Sequence, residues 1–294
     1  MINFNFHQHS NFSDGAFPPE DYVIKAIELG FSALGFSEHS PLPFDNPFSL
    51  KAEDIDNYIQ TIDELKVKYS DKIKIYRALE MDFIPGMSVY FNLWKNKCNT
   101  DYLIGSVHLV APVDSEELWF TDGPKHEIYD EGLEKFFNGD IKKAVRTYYH
   151  QLNEMIETQS FDVLGHFDKI KMHNQDRFFT EDENWYQKLV DESLNLVKRK
   201  NLIVEVNTRG IYKKRSNSLF PDNVALKKVQ KLDIPIMLSS DAHQPSELNL
   251  EFAKTEIKLV EMGFREIMFF DGNIWIPHKL SSNNLNQYEK DINL

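Results

Sequence analysis

Short apolar runs alternate with amphipathic stretches along most of the chain. Phe4-Asn5-Phe6 is followed by Pro18-Pro19-Glu20-Asp21 and a helix-like segment over 22–29 that stops at Gly30. Proline suits the first turn of a helix, carboxylates its positive end and glycine its C-terminal cap. A second run, 33–37, leads through a proline-rich loop over 40–50 to residues 51–69, where Ile55, Ile59, Ile62 and Leu65 repeat at helical spacing. Further apolar runs cover 73–79, 102–107, 161–165, 202–206, 234–240 and 266–270. Helical stretches separate them: one containing 89–93, then 141–158, 181–200 (capped by Thr180 or Asp182), 223–232 and 248–262. Residues 110–139 are irregular, acidic and aromatic, and read as an inserted loop, while the tail over 281–294 is polar.

Apolar runs joined by helices predict parallel strands with crossover connections. Polar groups stand at about seven run ends: His7, Glu38-His39, Glu80, His108, His166, Asn207 to Arg209, and Asp241 to His243. An open doubly wound sheet would gather its site at one switch point, whereas a barrel spreads it over every strand end. The pattern therefore predicts an α/β chain folded as a closed or nearly closed barrel. No Gly/Ser/Pro linker divides it, so residues 1–294 read as one domain.

Charge narrows the function. Lys+Arg 33 against Asp+Glu 46 leaves a net charge of −13, which disfavours nucleic acid and anionic membrane as partners. No apolar stretch approaches a membrane span, and no basic segment followed by an apolar one marks a signal peptide. A single cysteine, Cys98, fits a reducing compartment. A cytoplasmic protein is expected, and oligomeric state leaves no mark in the pattern.

Of ten histidines, His7, His9, His39, His108, His166 and His243 fall at the C-terminal ends of predicted strands, with Asp14, Glu38, Glu80 and Asp241 beside them. At strand geometry His7 and His9 point the same way. A single strand-end histidine is more often a satisfied polar residue than a ligand; six placed alike reverse those odds. Imidazole and carboxylate donors without thiolates suit Zn²⁺, Mn²⁺ or Fe²⁺. The donors outnumber what one ion uses, so two or three ions sharing a bridging carboxylate are expected.

This set, in this order, resembles the signature of the polymerase-and-histidinol-phosphatase (PHP) family. The resemblance implies a distorted (β/α)₇ TIM-like barrel with three metal sites: His7, His9, Glu80 and Asp241; Glu80, His108 and His166; and Asp14, His39 and His243. Many relatives carry histidine where this chain has Asp14, which bears on the third site. Glu38 is read as orienting a ligand rather than binding metal.

Ser37-Glu38-His39-Ser40-Pro41, Gly165 to Lys171 and Glu205 to Gly210 further resemble the stand-alone histidinol-phosphate phosphatase branch. That implies a phosphomonoesterase converting L-histidinol phosphate and water to L-histidinol and phosphate, in histidine biosynthesis, through a hydroxide bridging two ions. Glu80, Asp241 and His243 are the catalytic candidates, and Arg209, Lys171 and Lys213 the candidates for binding the small phosphate ester. The 110–139 segment offers Asp114, Glu116, Glu117, Trp119 and Phe120 to an ammonium or imidazole, without an assigned role. The rivals are a PHP phosphatase of another ester such as phosphotyrosine, a nuclease, and a non-catalytic metal-binding barrel. The acidic charge argues against the nuclease and the filled ligand set against the non-catalytic barrel.

Overall fold

The computed structural model describes residues 2–113 and 115–280; the expected polar tail and Asp114 lie outside them. In chain order the elements are β1 (Phe4–Asn5), α1 (Pro19–Glu28), β2 (Ala33–His39), α2 (Ile55–Lys68), β3 (Lys74–Asp82), α3 (Phe91–Cys98) and β4 (Tyr102–Ser106). There follow β5 (Leu109–Val110), β6 (Trp119–Phe120), α4 (His126–Phe137), α5 (Ile141–Thr158), β7 (Val163–Leu164) and α6 (Asn184–Lys200). The chain continues through β8 (Ile203–Asn207), α7 (Arg209–Tyr212), α8 (Asn223–Lys231), β9 (Ile236–Ser239), α9 (Phe252–Glu261), β10 (Glu266–Phe270) and β11 (Trp275–Lys279).

Seven strands form one sheet in the order β1-β2-β3-β4-β7-β8-β9, every pair parallel. A parallel bridge between Gln8 and Ala242, with His9 N–H donating to the Ala242 carbonyl at 2.9 Å, brings the two edges together. The result is a nearly closed barrel surrounded by helices, a distorted TIM-like fold. Parallel strands of one sense place all their C-terminal ends at one mouth.

The opposite end is plugged by apolar rings. β10 and β11 pair antiparallel outside the barrel sheet. Trp275 meets Phe6 and Tyr102 edge-on at 5.6 and 5.3 Å, and Phe270 meets Tyr76 and Tyr102. The run over 266–270 therefore seals the barrel floor with a partner strand that its own sequence, Trp275-Ile276-Pro277, hides behind a proline.

Residues 110–139 are not a plain loop. β5 and β6 form a short antiparallel hairpin, and α4 packs Tyr129 and Phe137 against Trp119 at 4.8 and 5.4 Å. Gly132 makes that approach feasible, since a Cβ there would lie 2.1 Å from the Trp119 ring. The spacing of Tyr129, Leu133 and Phe137 is helical, but the dense carboxylates around it obscure the stripe. α6 begins at Asn184 without a Thr180 or Asp182 side-chain cap; instead Glu183 accepts the Thr180 N–H at 3.1 Å. Elsewhere caps are local and strong: Asp140 accepts Lys143 N–H, and Asp222 accepts Val224 and Ala225 N–H. Among the described residues no helix is long and apolar enough to cross a membrane.

Candidate metal centre

Strand alternation delivers the polar side chains to the mouth. His7 and His9 follow β1 with two-residue spacing, His39 ends β2 in register with Glu80 on β3, and His108, His166 and Asp241 each follow a strand end by two residues. His7, His9, Glu80, His108, His166 and Asp241 are all almost wholly buried, which is costly for such groups unless they are partnered.

Their ring nitrogens and carboxylate oxygens converge. His7 Nε2 and His9 Nε2 are 3.2 Å apart, Glu80 Oε2 lies 3.3 and 3.4 Å from them, and Asp241 Oδ1 3.8 and 3.4 Å. Donors about 2.1 Å from a tetrahedral ion stand about 3.4 Å from one another, so the spacing fits one. On its other oxygen, Oε1, Glu80 meets His166 Nε2 at 2.9 Å and His108 Nε2 at 3.5 Å, with those two nitrogens 3.2 Å apart. Nearer the opening, Asp14 Oδ2 is 3.0 Å from His243 Nε2, and Asp14 Oδ1 is 3.9 Å from His39 Nε2. Among the described residues, donor groups within 4.8 Å of one another are His9-Asp14-His39-His243, His7-His9-Asp241 and His39-Glu80-His108.

Three carboxylates behind this layer hold it in place. Glu205 Oε1 takes His7 Nδ1 at 2.5 Å, and its other oxygen accepts the His166 backbone N–H at 2.7 Å. Asp82 receives Nδ1 of both His39, at 3.0 Å, and His108. Each partner commits a ring's Nδ1–H and leaves Nε2 as the free donor. Glu38 accepts the Ser10 N–H and hydroxyl and the Ser13 hydroxyl, fixing the loop that carries Asp14. Gly15 closes that loop where a Cβ would sit 2.1 Å from the His9 carbonyl oxygen. Asp82 and Glu205 escaped the sequence reading. The period of two that pairs His7 with His9 also pairs Glu80 with Asp82, so the signal was there.

Electrostatics follows from the same contacts. Burial works against protonation of His7, yet Glu205, Glu80 and Asp241 outweigh it and raise its pKa well above the ordinary value. Burial likewise opposes His39, but Glu80, Asp82 and Asp14 hold it up at about 10. His9 is pushed down to about 4 by burial and by the neighbouring His243 and His39. Burial disfavours charge on Glu80 and Asp241, but His7 and, respectively, His108 and Arg209 hold both well below the carboxylate range. The carboxylates therefore favour positive charge among them, which protonated histidines or divalent cations can supply. Asp241 also adopts φ of +50°, a left-handed conformation uncommon outside glycine; Arg209 and Tyr212 donate to its carbonyl at 2.7 and 3.3 Å and stabilise it there.

A cavity of about 360 Å³ opens over this floor. Lys169, Arg209, Lys213 and Arg215 line it, as do Phe48 and Phe120. Arg209 and Lys213 are thus brought to the site, both also paired with Glu247. Lys171 is not. Its Nζ is buried away from the cavity among Asp168 at 3.0 Å, Glu181 at 3.1 Å and Asp222 at 3.5 Å. The base that does face the cavity is Lys169, 2.9 Å from Asp122 and 3.8 Å from Asp241. Of the residues named in the 110–139 segment, Phe120 lines the cavity, Trp119 is buried in the core and Glu117 pairs with Lys135 on the surface.

A TIM-like barrel whose mouth gathers six histidines with Asp14, Glu80 and Asp241 offers the donors that divalent metal takes. The chain belongs to the PHP domain family, whose profile matches residues 5–209. It is 28% identical over 253 residues to the probable histidinol-phosphatase of Deinococcus radiodurans, covering 85% of this chain and 90% of that one. It is 26% identical over 278 residues to the histidinol-phosphatase of Lactococcus lactis, covering 92% and 96%. The crystal structure of the Lactococcus lactis enzyme, complexed with zinc, L-histidinol and phosphate, superposes with a TM-score of 0.66 at 22% identity, covering 93% of this chain and 98% of that one. A histidinol-phosphatase candidate from Listeria monocytogenes superposes with a TM-score of 0.74 at 22% identity, covering 85% and 99%. At that identity the superpositions speak for the fold.

Proposed function

We propose that this protein is a metal-dependent phosphomonoesterase that hydrolyses L-histidinol phosphate. The observation that carries the reading is Glu80, which turns one oxygen to the His7-His9 pair and the other to the His108-His166 pair. A carboxylate so divided suits two ions held side by side, and Asp14, His39 and His243 are placed for a third. The names of the relatives, which span nearly the whole chain, direct the choice of substrate.

His7, His9, Glu80 and Asp241 would hold the first ion and Glu80, His108 and His166 the second. Divalent ions there supply Lewis acidity and a water acidic enough to serve as nucleophile near neutral pH. Zinc, manganese and iron all suit these donors. The chain's own contribution is position and charge. Glu80, Asp241 and His243 would hold the centre, while Lys169, Arg209 and Lys213 surround the space above it with cations that neutralise phosphate oxygens during transfer.

The test is phosphate release from L-histidinol phosphate with added Zn²⁺ or Mn²⁺. Glu80→Gln keeps the shape of the side chain but removes the shared charge. Several kcal/mol of transition-state stabilisation should go with it, so that kcat/KM falls by about 10³-fold or more. Turnover intact in that variant would refute the bridged centre; a wild type inert toward L-histidinol phosphate but active on other phosphomonoesters would refute the substrate.

A further inference from the structure

Asp122, on the turn after β6, lines the same cavity without belonging to the histidine–carboxylate clusters. Its Oδ2 is 2.9 Å from Lys169 Nζ and 3.9 Å from His108 Nε2. Its Oδ1 is buried and has no hydrogen-bond partner. An ionised carboxylate accepts about four hydrogen bonds, and a buried oxygen left without one is disfavoured. Among the described carboxylates lining this cavity, Asp122 is the one with an oxygen in that condition: Asp14, Glu80 and Asp241 each have both oxygens directed at histidines, bases or Asn207.

We infer that Asp122 is a specificity-determining residue that binds an ammonium group vicinal to the carbon bearing the phosphate ester. The inference rests on the phosphatase reading above and names what the pocket recognises besides phosphate. Asp122 stands beside His108, one of the Glu80-paired histidines, so its carboxylate borders the space above the centre. A cation one carbon further along meets the Asp122 carboxylate, while a uniformly anionic ester finds only fixed negative charge there. Lys169, on Oδ2, also lines the cavity, so the pair presents a carboxylate and an ammonium to the two ends of a zwitterionic substrate. Phe120, two residues before Asp122, lies nearly parallel to Phe48 with ring centres 5.9 Å apart. These rings offer a flat apolar wall to whatever extends past the ammonium.

The experiment compares two esters of matched size, O-phosphoethanolamine and n-propyl phosphate, alongside L-histidinol phosphate, on the metal-loaded full-length enzyme. The wild type should prefer O-phosphoethanolamine to n-propyl phosphate. Asp122→Asn should lower kcat/KM for both ammonium esters by about 10- to 150-fold more than for n-propyl phosphate, chiefly through KM, the loss on n-propyl phosphate measuring what passes through Lys169. Asp122→Ser, which also removes the charge, repeats the measurement with a smaller side chain, and metal content is determined for every form. Equal losses on charged and neutral esters, or a wild type with no preference for the ammonium, would overturn the inference. A wild type that prefers O-phosphoethanolamine yet ignores L-histidinol phosphate would support Asp122 while removing the proposed substrate.

Discussion

One carboxylate, Asp82, serves two histidines assigned to different ions: Oδ2 is 3.0 Å from His39 Nδ1 and Oδ1 meets His108 Nδ1. A carboxylate accepts from both rings, whereas an amide accepts at its oxygen and donates at its nitrogen. In Asp82→Asn one histidine keeps its acceptor and the other faces an NH₂ group. The mismatched ring must then offer Nδ1 as a lone pair, which moves its proton to Nε2 and blocks the nitrogen that faces the centre. Losing an orienting partner of this kind lowers metal affinity by about 10- to 100-fold, or about 1.4–2.7 kcal/mol. Because only one of the two histidines is affected, one binding step should weaken while the others keep their affinity. Competition titration of Zn²⁺ against a chromophoric chelator, with metal content counted by mass spectrometry, reads this directly. Activity should return as metal is raised. Wild-type affinity at every step, within about threefold, would refute the argument, and so would lost activity in a variant that retains its full complement of metal.

Other outcomes follow from the same charges. His39, held at about 10 by Glu80, Asp82 and Asp14 against its own burial, must lose a proton before it binds an ion, as must His7 and His108. Metal affinity should therefore rise with pH, by up to about tenfold per unit for each proton released, and calorimetry in buffers of different ionisation enthalpy should record the release. In metal-stripped protein the raised pKa of His39 stabilises the fold below about pH 6.5, and that contribution is lost as pH climbs toward 10; metal-loaded protein should lack the decline. Lys171→Met should cost about 3–5 kcal/mol of stability by stranding Asp168, Glu181 and Asp222. Burial, only partly offset by Lys171, has already pushed Asp168 up to about 7. A raised carboxyl favours folding at low pH and loses that contribution as pH rises through its folded value, so the deficit in urea melts should be larger at pH 8 than at pH 6. KM should change by less than about threefold; a large rise in KM without loss of stability would return Lys171 to the substrate.

What could be read from residue order, and what could not, divides along physical lines. The barrel and the polar face at its mouth were legible because parallel strands make both local: an apolar run ends, and the next inward residue is polar. His39 beside Glu80 in adjacent strands is that rule seen in cross-section. Asp82 and Glu205 obey the same alternation but sit one step behind the ligands, where a carboxylate between apolar residues reads as an ordinary strand end. Lys169 and Lys171 mark a harder limit. They occupy a single 3-10 turn, in which three residues complete a revolution, so two bases two apart diverge widely. One faces the cavity and the other the interior, and nothing in Lys169-Ile170-Lys171 says which. Asp122 was beyond reach for another reason. Its direction depends on how β5 pairs with β6 and on α4 packing under Trp119, contacts that only the folded chain assembles.

These residues also resolve how a chain of net charge −13 can present a site to an anionic ester. Whole-molecule charge acts at a distance and is screened within about 8–10 Å at physiological salt, whereas the cavity is governed by groups in contact with it. Its floor is anionic, but that charge is directed at histidines and at the space for cations. Above the floor Lys169, Arg209 and Lys213 each lean on a carboxylate, Asp122 or Glu247. Glu247 also accepts the His243 backbone N–H at 2.9 Å, tying the cationic ring to the Asp14-His39-His243 cluster. A net charge of −13 acts on a polyanion from a distance, whereas the local ring meets only a group small enough to enter the cavity. The distribution of charge is thus acidic at long range and basic at contact, which suits a small phosphomonoester.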